Sequence, residues 1–220
     1  MSKQKIFDFL RDLSANNSKD WMDENRKRYH EAKNIWLAEI ELILQRLVTH
    51  DPDFEQVRPK ETLMRITNNR RFHPDKSLYR DHFACSPGTD MTKPGFYIHI
   101  SPSGSFIGGG VYRPPSPVLQ KIREGIDYDG DRLKKILSSS PFTGMYTDLD
   151  PDEQMLKTAP RGFPKDHPHL DLLRRKSFTA ITPLTEAQVL SSDFPALAEK
   201  AFVSMQPLCD YLMQAVEFEA

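Results

Sequence analysis

Hydrophobic positions in the first quarter of the chain recur at the intervals of an α-helix. Ile6, Phe9, Leu10 and Leu13 form one short stripe that ends at Asn16-Asn17, where two turn-favouring residues follow. A second stripe consists of Trp21, Tyr29, Ala32, Trp36, Ile40, Ile43 and Leu47. This stripe predicts one long amphipathic helix over 18–49, and it places both tryptophans on the face that packs against the core.

The middle of the chain changes to the alternation and short apolar runs that are typical of β-strands. The predicted strands cover 61–67, 82–86, 95–101, 105–112 and 177–183. The third and fourth are joined by Pro102-Ser103-Gly104, a connection that favours a β-hairpin. We therefore expect a mainly antiparallel sheet.

Helical spacing returns in the second half of the chain. Helices are predicted over 117–126 and 131–138, with a short one at 169–174 and a closing one at 193–217, whereas Gly and Pro make 142–168 irregular. Strands that cluster between groups of helices are typical of the α+β class. The sequence predicts a single domain over 1–220, with the sheet packed by the long N-terminal helix and a C-terminal helix.

The composition of the chain argues against nucleic acids and membranes as partners. The 220 residues include 30 Lys and Arg against 31 Asp and Glu, a formal net charge of −1, so a nucleic-acid partner is disfavoured unless a local patch such as Arg174-Arg175-Lys176 binds it. No apolar run reaches membrane-spanning length, and the first nine residues lack a secretory pattern. With Cys85 and Cys209 far apart, we expect a cytoplasmic protein with free thiols and no membrane partner.

The densest cluster of charge lies in 65–82, which we call the basic turn. It contains Arg65, Arg70, Arg71, Lys76 and Arg80, opposed by Asp75 and Asp81. Two interpretations stay open. Either Asp75 pairs with Arg71 or Lys76 to hold the turn, or the cations converge on a phosphate or carboxylate, which Arg binds with its fork of N–H donors.

The predicted strand beside this turn carries two polar rings on one face. Phe96, Ile98 and Ile100 alternate with Tyr97 and His99, which therefore share the opposite face. If a helix covers that face, the two rings are ordinary half-buried groups, and if it is open, they form part of a pocket floor. The run Gly108-Gly109-Gly110 lacks the frame of a phosphate loop and is more typical of a strand-end bulge or of a close approach by another backbone or a ligand.

Sequence patterns for other chemistry are missing. The histidines show no metal-binding spacing, and no nucleophile elbow or cofactor fingerprint is present. The sequence therefore predicts no cofactor and no metal site, and it leaves open whether the protein is an enzyme.

Several ordered motifs together resemble the conserved-hypothetical family catalogued as domain of unknown function 2461. They are Phe7-x-Phe9-Leu10 with Asn16-Asn17 and Trp21; Arg71-Phe72-x-x-Asp75-Lys76-Ser77-x-Tyr79-Arg80; Gly95-Phe96-Tyr97-x-His99-Ile100; Gly109-Gly110-x-Tyr112-x-Pro114; Leu119-x-x-Ile122-Arg123-x-x-Ile126; and Gly162-Phe163-x-x-Asp166-His167-Pro168. Such proteins commonly carry Lys where this chain has Arg80. The resemblance implies a bacterial-type intracellular protein and no particular activity.

Two functions follow as hypotheses. The first is binding of a small anionic ligand, phosphorylated or carboxylate, at the basic turn beside the sheet, and the second is a non-catalytic interaction module that docks an acidic partner. The candidate anion-binding residues are Arg65, Arg71, Asp75, Lys76, Tyr79, Arg80, Tyr97, His99, Gly109, Gly110 and Arg123.

Overall fold

The structure, a computed structural model, describes residues 2–71, 74–87 and 93–217. Helices flank a four-stranded antiparallel sheet, which confirms the α+β class. The chain folds into two compact units. The first takes its described residues from Met1–Thr89, Tyr97–Ile107 and Pro183–Lys200, and the second from Asp90–Phe96, Gly108–Thr182 and Ala201–Ala220. The organisation as one domain stays a prediction.

The helices of the first unit begin with the two predicted stripes. Helix α1 (Gln4–Ala15) buries its apolar stripe and packs against α3 (Arg26–Leu47). Trp36 on α3 is fully buried, and its ring lies 6.4 Å from that of Phe194. A 3-10 helix (Pro52–Gln56) and the short α4 (Pro59–Thr62) follow and pack on α3.

The prediction of one helix over 18–49 is wrong in one respect. Asn25 has non-helical dihedral angles and separates α2 (Lys19–Glu24) from α3. Its side-chain amide donates to the Trp21 carbonyl oxygen at 2.9 Å, a local bond that competes with the helical ladder. Trp21 therefore lies on α2, where it is half-buried and contacts Phe9 at a ring distance of 5.9 Å.

The predicted strand over 61–67 is also wrong. Residues up to Thr62 belong to α4, and the rest make only isolated bridges, Leu63 with Cys85 and Thr67 with Tyr79. Pro59 at the first turn favours the helix, since its fixed φ suits that position. The segment is extended and half-paired rather than a regular strand.

The sheet has the strand order β1 (Phe83–Cys85), β2 (Gly95–Ile100), β3 (Ser105–Val111) and β4 (Phe178–Leu184). In the first unit Ala84 pairs with His99 across the antiparallel β1–β2 ladder. The predicted hairpin between β2 and β3 is closed by Ser105, whose hydroxyl accepts from the Ser101 N–H at 3.0 Å. The first unit also contains α8 (Glu186–Leu190) and the start of α9 (Phe194–Glu217).

The second unit is built on α5 (Ser116–Leu137) and the C-terminal part of α9. The two helices predicted over 117–126 and 131–138 are one helix with a break at Asp129, whose φ and ψ are −144° and 50°. The Tyr211 hydroxyl on α9 donates to the freed carbonyl oxygens of Gly125 and Asp129, at 3.0 and 3.2 Å. Tyr211 thus provides a shared hydrogen bond to the backbone of α5 at the break.

Two short helices complete this unit. Helix α6 (Ser140–Tyr146) begins a stretch that was predicted to be irregular, and it starts with Pro141 in its first turn. Helix α7 (Leu170–Leu173) lies close to the predicted position and packs on α5. None of the helices in the described residues combines the length and the apolar composition that a bilayer crossing needs.

Candidate functional site

A row of four aromatic rings lies on the face of the sheet opposite the core, in the first unit. It consists of His82, His99, Phe106 and Tyr97, and we call it the ring row. The ring centroids of His82 and His99 are 4.1 Å apart, and those of His99 and Phe106 are 4.7 Å apart with planes only 11° from parallel. Tyr97 contacts Phe106 at 5.8 Å. All four side chains are half-buried.

The strand alternation and the register of β1 and β2 bring these rings together. Phe96, Ile98 and Ile100 are buried, which leaves Tyr97 and His99 on the other face of β2. Ala84 pairs with His99, and His82 lies two residues before Ala84 on the same face. The imidazoles of His82 and His99 are therefore neighbours across the strands.

Burial keeps both imidazoles in their neutral form. The pKa of His99 is lowered to about 4, first by burial and then by repulsion from His82 and Arg80, against a smaller attraction to Asp81. The pKa of His82 is lowered as well, mainly by burial, although the Asp81 carboxylate 3.3 Å from Nδ1 opposes this. At neutral pH each ring therefore offers one hydrogen-bond donor and one acceptor.

Arg80 places a positive charge beside this row. Its charge lowers the pKa of His82 and His99, and it opposes the rise in the pKa of Tyr97 that burial causes. The side chain is half-buried, and within the described residues its guanidinium forms no ion pair or hydrogen bond. Arg80 is thus a half-buried arginine whose N–H donors have no partner among the residues that the structure describes.

Hydrogen bonds to the backbone hold the basic turn in shape. The Asn17 amide accepts from the Tyr79 N–H at 2.8 Å and donates to the Tyr79 carbonyl oxygen at 2.9 Å. The Arg80 N–H donates to the Ile66 carbonyl oxygen at 2.7 Å. Arg70 donates twice to the Pro74 carbonyl oxygen, so this cation closes the turn. These bonds fix the backbone from which Arg80 projects.

The other predicted residues of the basic turn differ in exposure. Arg65, Arg71, Asp75 and Lys76 are exposed, whereas Tyr79 is buried. Asp75 forms no ion pair within the part of the chain that the structure describes. The pairing of Asp75 that one interpretation required is therefore not seen there, while Phe72 and His73 lie outside the described residues.

Gly109, Gly110 and Arg123 lie in the second unit, where the structure gives each a packing role. A Cβ on Gly109 would lie 2.6 Å from Cγ of Met205, and one on Gly110 would lie 1.9 Å from the Phe178 carbonyl oxygen. Arg123 Nε donates to the Leu173 carbonyl oxygen at 2.9 Å, which caps α7. Burial lowers the pKa of Arg123. The site role predicted for these three residues stays a prediction.

The triplet Arg174-Arg175-Lys176 is bound into the second unit. Arg175 donates to the backbone carbonyl oxygens of Asp150 and Ser177, and the carboxylates of Asp148, Asp150, Asp152 and Asp171 act on its charge. The Asp152 carboxylate also accepts from the backbone N–H of Lys176 and Ser177. The charge of Arg175 is therefore partly offset by acidic groups.

Sequence reasoning missed His82 and Phe106 as members of the ring row. Alternation within 82–86 places His82 and Ala84 on one face of the strand, and this much can be predicted from the sequence alone. The register that sets His82 against His99 is a long-range property that alternation does not fix. Over 2–71, 74–87 and 93–217, no three His, Cys, Asp or Glu side chains are grouped to hold a metal ion.

Comparison with known proteins gives one match. The profile of a family described as "Conserved hypothetical protein (DUF2461)" matches residues 5–211. No curated protein and no solved structure matches the chain. The matched region includes the basic turn, the ring row and the first three quarters of α9. The chain therefore belongs to this family of conserved hypothetical proteins, as its motifs predict.

Proposed function

We propose that the protein binds a small anionic ligand, phosphorylated or carboxylate, at the basic turn beside the sheet. The observation that carries this proposal is Arg80, a half-buried residue whose guanidinium has no bonded partner in the described residues, next to the ring row. Removing a charge partly from water costs free energy unless a partner compensates for it. An anion is the partner that compensates best, because its hydrogen bonds to guanidinium are charge-assisted.

The surrounding groups suit an anion that also forms neutral hydrogen bonds. The imidazole of His99 has one N–H donor at neutral pH, and Tyr97 has a hydroxyl whose pKa burial keeps raised, whereas the one proton of neutral His82 is directed from Nδ1 to the Asp81 carboxylate at 3.3 Å. A phosphate or carboxylate oxygen can accept from such donors while Arg80 supplies the charge. Half-burial of the site strengthens these bonds relative to bulk water.

Calorimetric titration with inorganic phosphate tests the proposal. Arg80→Ala removes the guanidinium and leaves the backbone bond to Ile66 in place, so we expect phosphate affinity to fall by about 10- to 100-fold, the value of one or two charged hydrogen bonds. Arg161→Ala, at an exposed arginine of the second unit, is the matched control and should bind as wild type does. Equal affinity in both variants contradicts the proposal.

A second function, docking of an acidic partner, is supported by the exposure of Arg65 and Lys76. Exposed cations contribute to binding by attracting an acidic partner over a long range, without forming a pocket. This attraction falls steeply as the salt concentration rises. The double variant Arg65→Ala, Lys76→Ala should then abolish binding of a polyglutamate peptide while phosphate binding persists. If only Arg80→Ala affects either ligand, the docking function is ruled out.

The setting of this function follows from the cysteines. Cys85 and Cys209 are free, and burial raises the pKa of the Cys209 thiol to about 12 and that of Cys85 further still. Free thiols persist in a reducing compartment. On this basis and on the family resemblance we propose a bacterial-type cytoplasmic protein, and we expect alkylation of the buried Cys85 to require denaturant.

A further inference from the structure

A cavity of about 370 Å³ lies in the second unit, between α5 and the C-terminal part of α9. Gly125 brings the helices into contact, since a Cβ there would lie 2.7 Å from that of Ala215. One turn further along, α5 breaks at Asp129, and the buried ring of Tyr211 lines the space that opens there. The volume is within the range of small-molecule sites.

Four charged side chains line this cavity: Lys121, Glu124, Asp129 and Arg132. Lys121 and Glu124 are three residues apart on α5, the spacing at which such side chains normally attract each other. Lys121 Nζ instead donates to the Val216 carbonyl oxygen at 2.9 Å, and Glu124 accepts from Gln120 Nε2 at 2.9 Å. Neither forms an ion pair within the described residues. Lys121 is half-buried and Glu124 is exposed, so within the described residues the cavity has an ammonium and a carboxylate, three residues apart, that form no ion pair.

Two tyrosines flank the cavity beyond these charges. Tyr211 is 4% exposed and is fixed by its hydroxyl, which donates to Gly125 and Asp129. Tyr128 is 92% exposed although its ring lines the cavity. An aromatic ring exposed to this degree gains most from a ligand that covers it. Arg132 lies over the Tyr211 ring at 5.7 Å, held by Gln214, and closes the far end.

We propose that this cavity binds a small zwitterion with an apolar body, of the α-amino acid type. The ligand carboxylate lies against Lys121 and the ligand ammonium against Glu124, which matches two opposite charges that are close together. The apolar side chain lies along Tyr211 and is covered by Tyr128. A simple carboxylic acid leaves Glu124 without its partner, and a simple amine leaves Lys121 without its partner. The site therefore discriminates against both.

Titration with L-phenylalanine, followed by protein NMR, tests this assignment. Two control ligands keep the ring and lose one charge: 3-phenylpropionate lacks the ammonium and phenethylamine lacks the carboxylate. We expect L-phenylalanine to shift the resonances of 121–132 and 211–216, with an affinity at least tenfold above that of either control. Absence of shifts in these segments, or equal binding by one of the controls, overturns the proposal.

Two variants test separately the contributions of the Glu124 carboxylate and the Tyr128 ring to ligand binding. Glu124→Gln should remove the preference for L-phenylalanine over 3-phenylpropionate, because the ammonium loses its carboxylate. Tyr128→Ala should lower the affinity for L-phenylalanine at least fivefold. The fold should not change, since this side chain is almost wholly exposed. Tyr112→Ala, at another exposed tyrosine of the second unit, is the control and should bind normally. Wild-type affinity in both Glu124→Gln and Tyr128→Ala overturns the proposal.

Discussion

The lowered pKa of His99 predicts a specific loss of stability in acid. An unfolded histidine titrates near 6.5, whereas burial and the neighbours His82 and Arg80 lower the pKa of His99 to about 4 in the folded protein. Between these two values the unfolded chain binds more protons than the folded one, so the free energy of unfolding falls as the pH falls. This contribution is fully present above pH 6.5 and is lost by about pH 4.

The size of the effect follows from the shift. A difference of 2.5 pH units corresponds to about 3.4 kcal/mol at 1.36 kcal/mol per unit. Because His99 is only half-buried, solvent screening reduces this, and we expect about 1.5–2 kcal/mol. His99→Phe keeps a ring against Phe106 and removes the titrating group. Between pH 7 and pH 4 the free energy of unfolding should fall in both proteins, and the fall should be about 1.5–2 kcal/mol smaller in His99→Phe than in wild type.

Two assays check this prediction. Urea unfolding at both pH values gives the free energies, with His30→Phe on the exposed surface of α3 as the control for losing an imidazole outside the ring row. A proton NMR titration of the imidazole signals gives the pKa of His99 directly. A His99 midpoint near 6.5, or the same acid-dependent loss in wild type and His99→Phe, refutes the reasoning about burial.

Two further predictions concern packing and are measured by chemical unfolding. Trp36→Ala should lower the free energy of unfolding by about 3–5 kcal/mol, and Trp36→Phe by much less. The buried indole N–H has no hydrogen-bond partner among the described residues, so its removal offsets part of the effect of the lost volume. Equal losses in the two variants contradict this account. Gly110→Ala should destabilise by more than about 2 kcal/mol, because φ is +102° and the new Cβ meets the Phe178 carbonyl oxygen, whereas Gly144→Ala inside α6 should be neutral or stabilising.

Local patterns were enough for part of this fold. Alternation across 95–101 predicts β2 and the face that Tyr97 and His99 share, and the helical spacing of 193–217 predicts α9 almost to the residue. The Pro102-Ser103-Gly104 connection predicts the hairpin. Each of these elements is determined by interactions between residues that are close in sequence, so the local pattern is enough to predict it.

The predictions were wrong where one side chain, or a segment distant in sequence, determines where a helix or strand begins and ends. Asn25 ends α2 with one amide bond to the Trp21 carbonyl oxygen, although the apolar stripe continues past it. The segment 61–67 has strand-like composition, but α4 takes its first residues and the remainder makes only isolated bridges. Apolar periodicity reports which face is buried, and it does not report where the backbone hydrogen bonds change partner.

The candidate site was predicted in part for the same reason. Clustering of charge along 65–82 predicts the basic turn, and β2 predicts two of the four rings. The contribution of His82 depends on the register of β1 against β2, and that of Arg80 on the bonds that Asn17 makes to Tyr79. Both depend on contacts between segments distant in the chain. Whether Arg65, Arg71 and Lys76 contact a ligand stays a prediction.

Mapping of inorganic phosphate by two-dimensional NMR tests the central claim most directly. The account predicts that phosphate shifts the backbone resonances of 79–82 and 97–99 together with the imidazole signals of His82 and His99, and that Arg80→Ala abolishes these shifts while the rest of the spectrum is unchanged. Shifts confined to other segments, or the same shifts in Arg80→Ala, would show that the guanidinium of Arg80 is not an anion site.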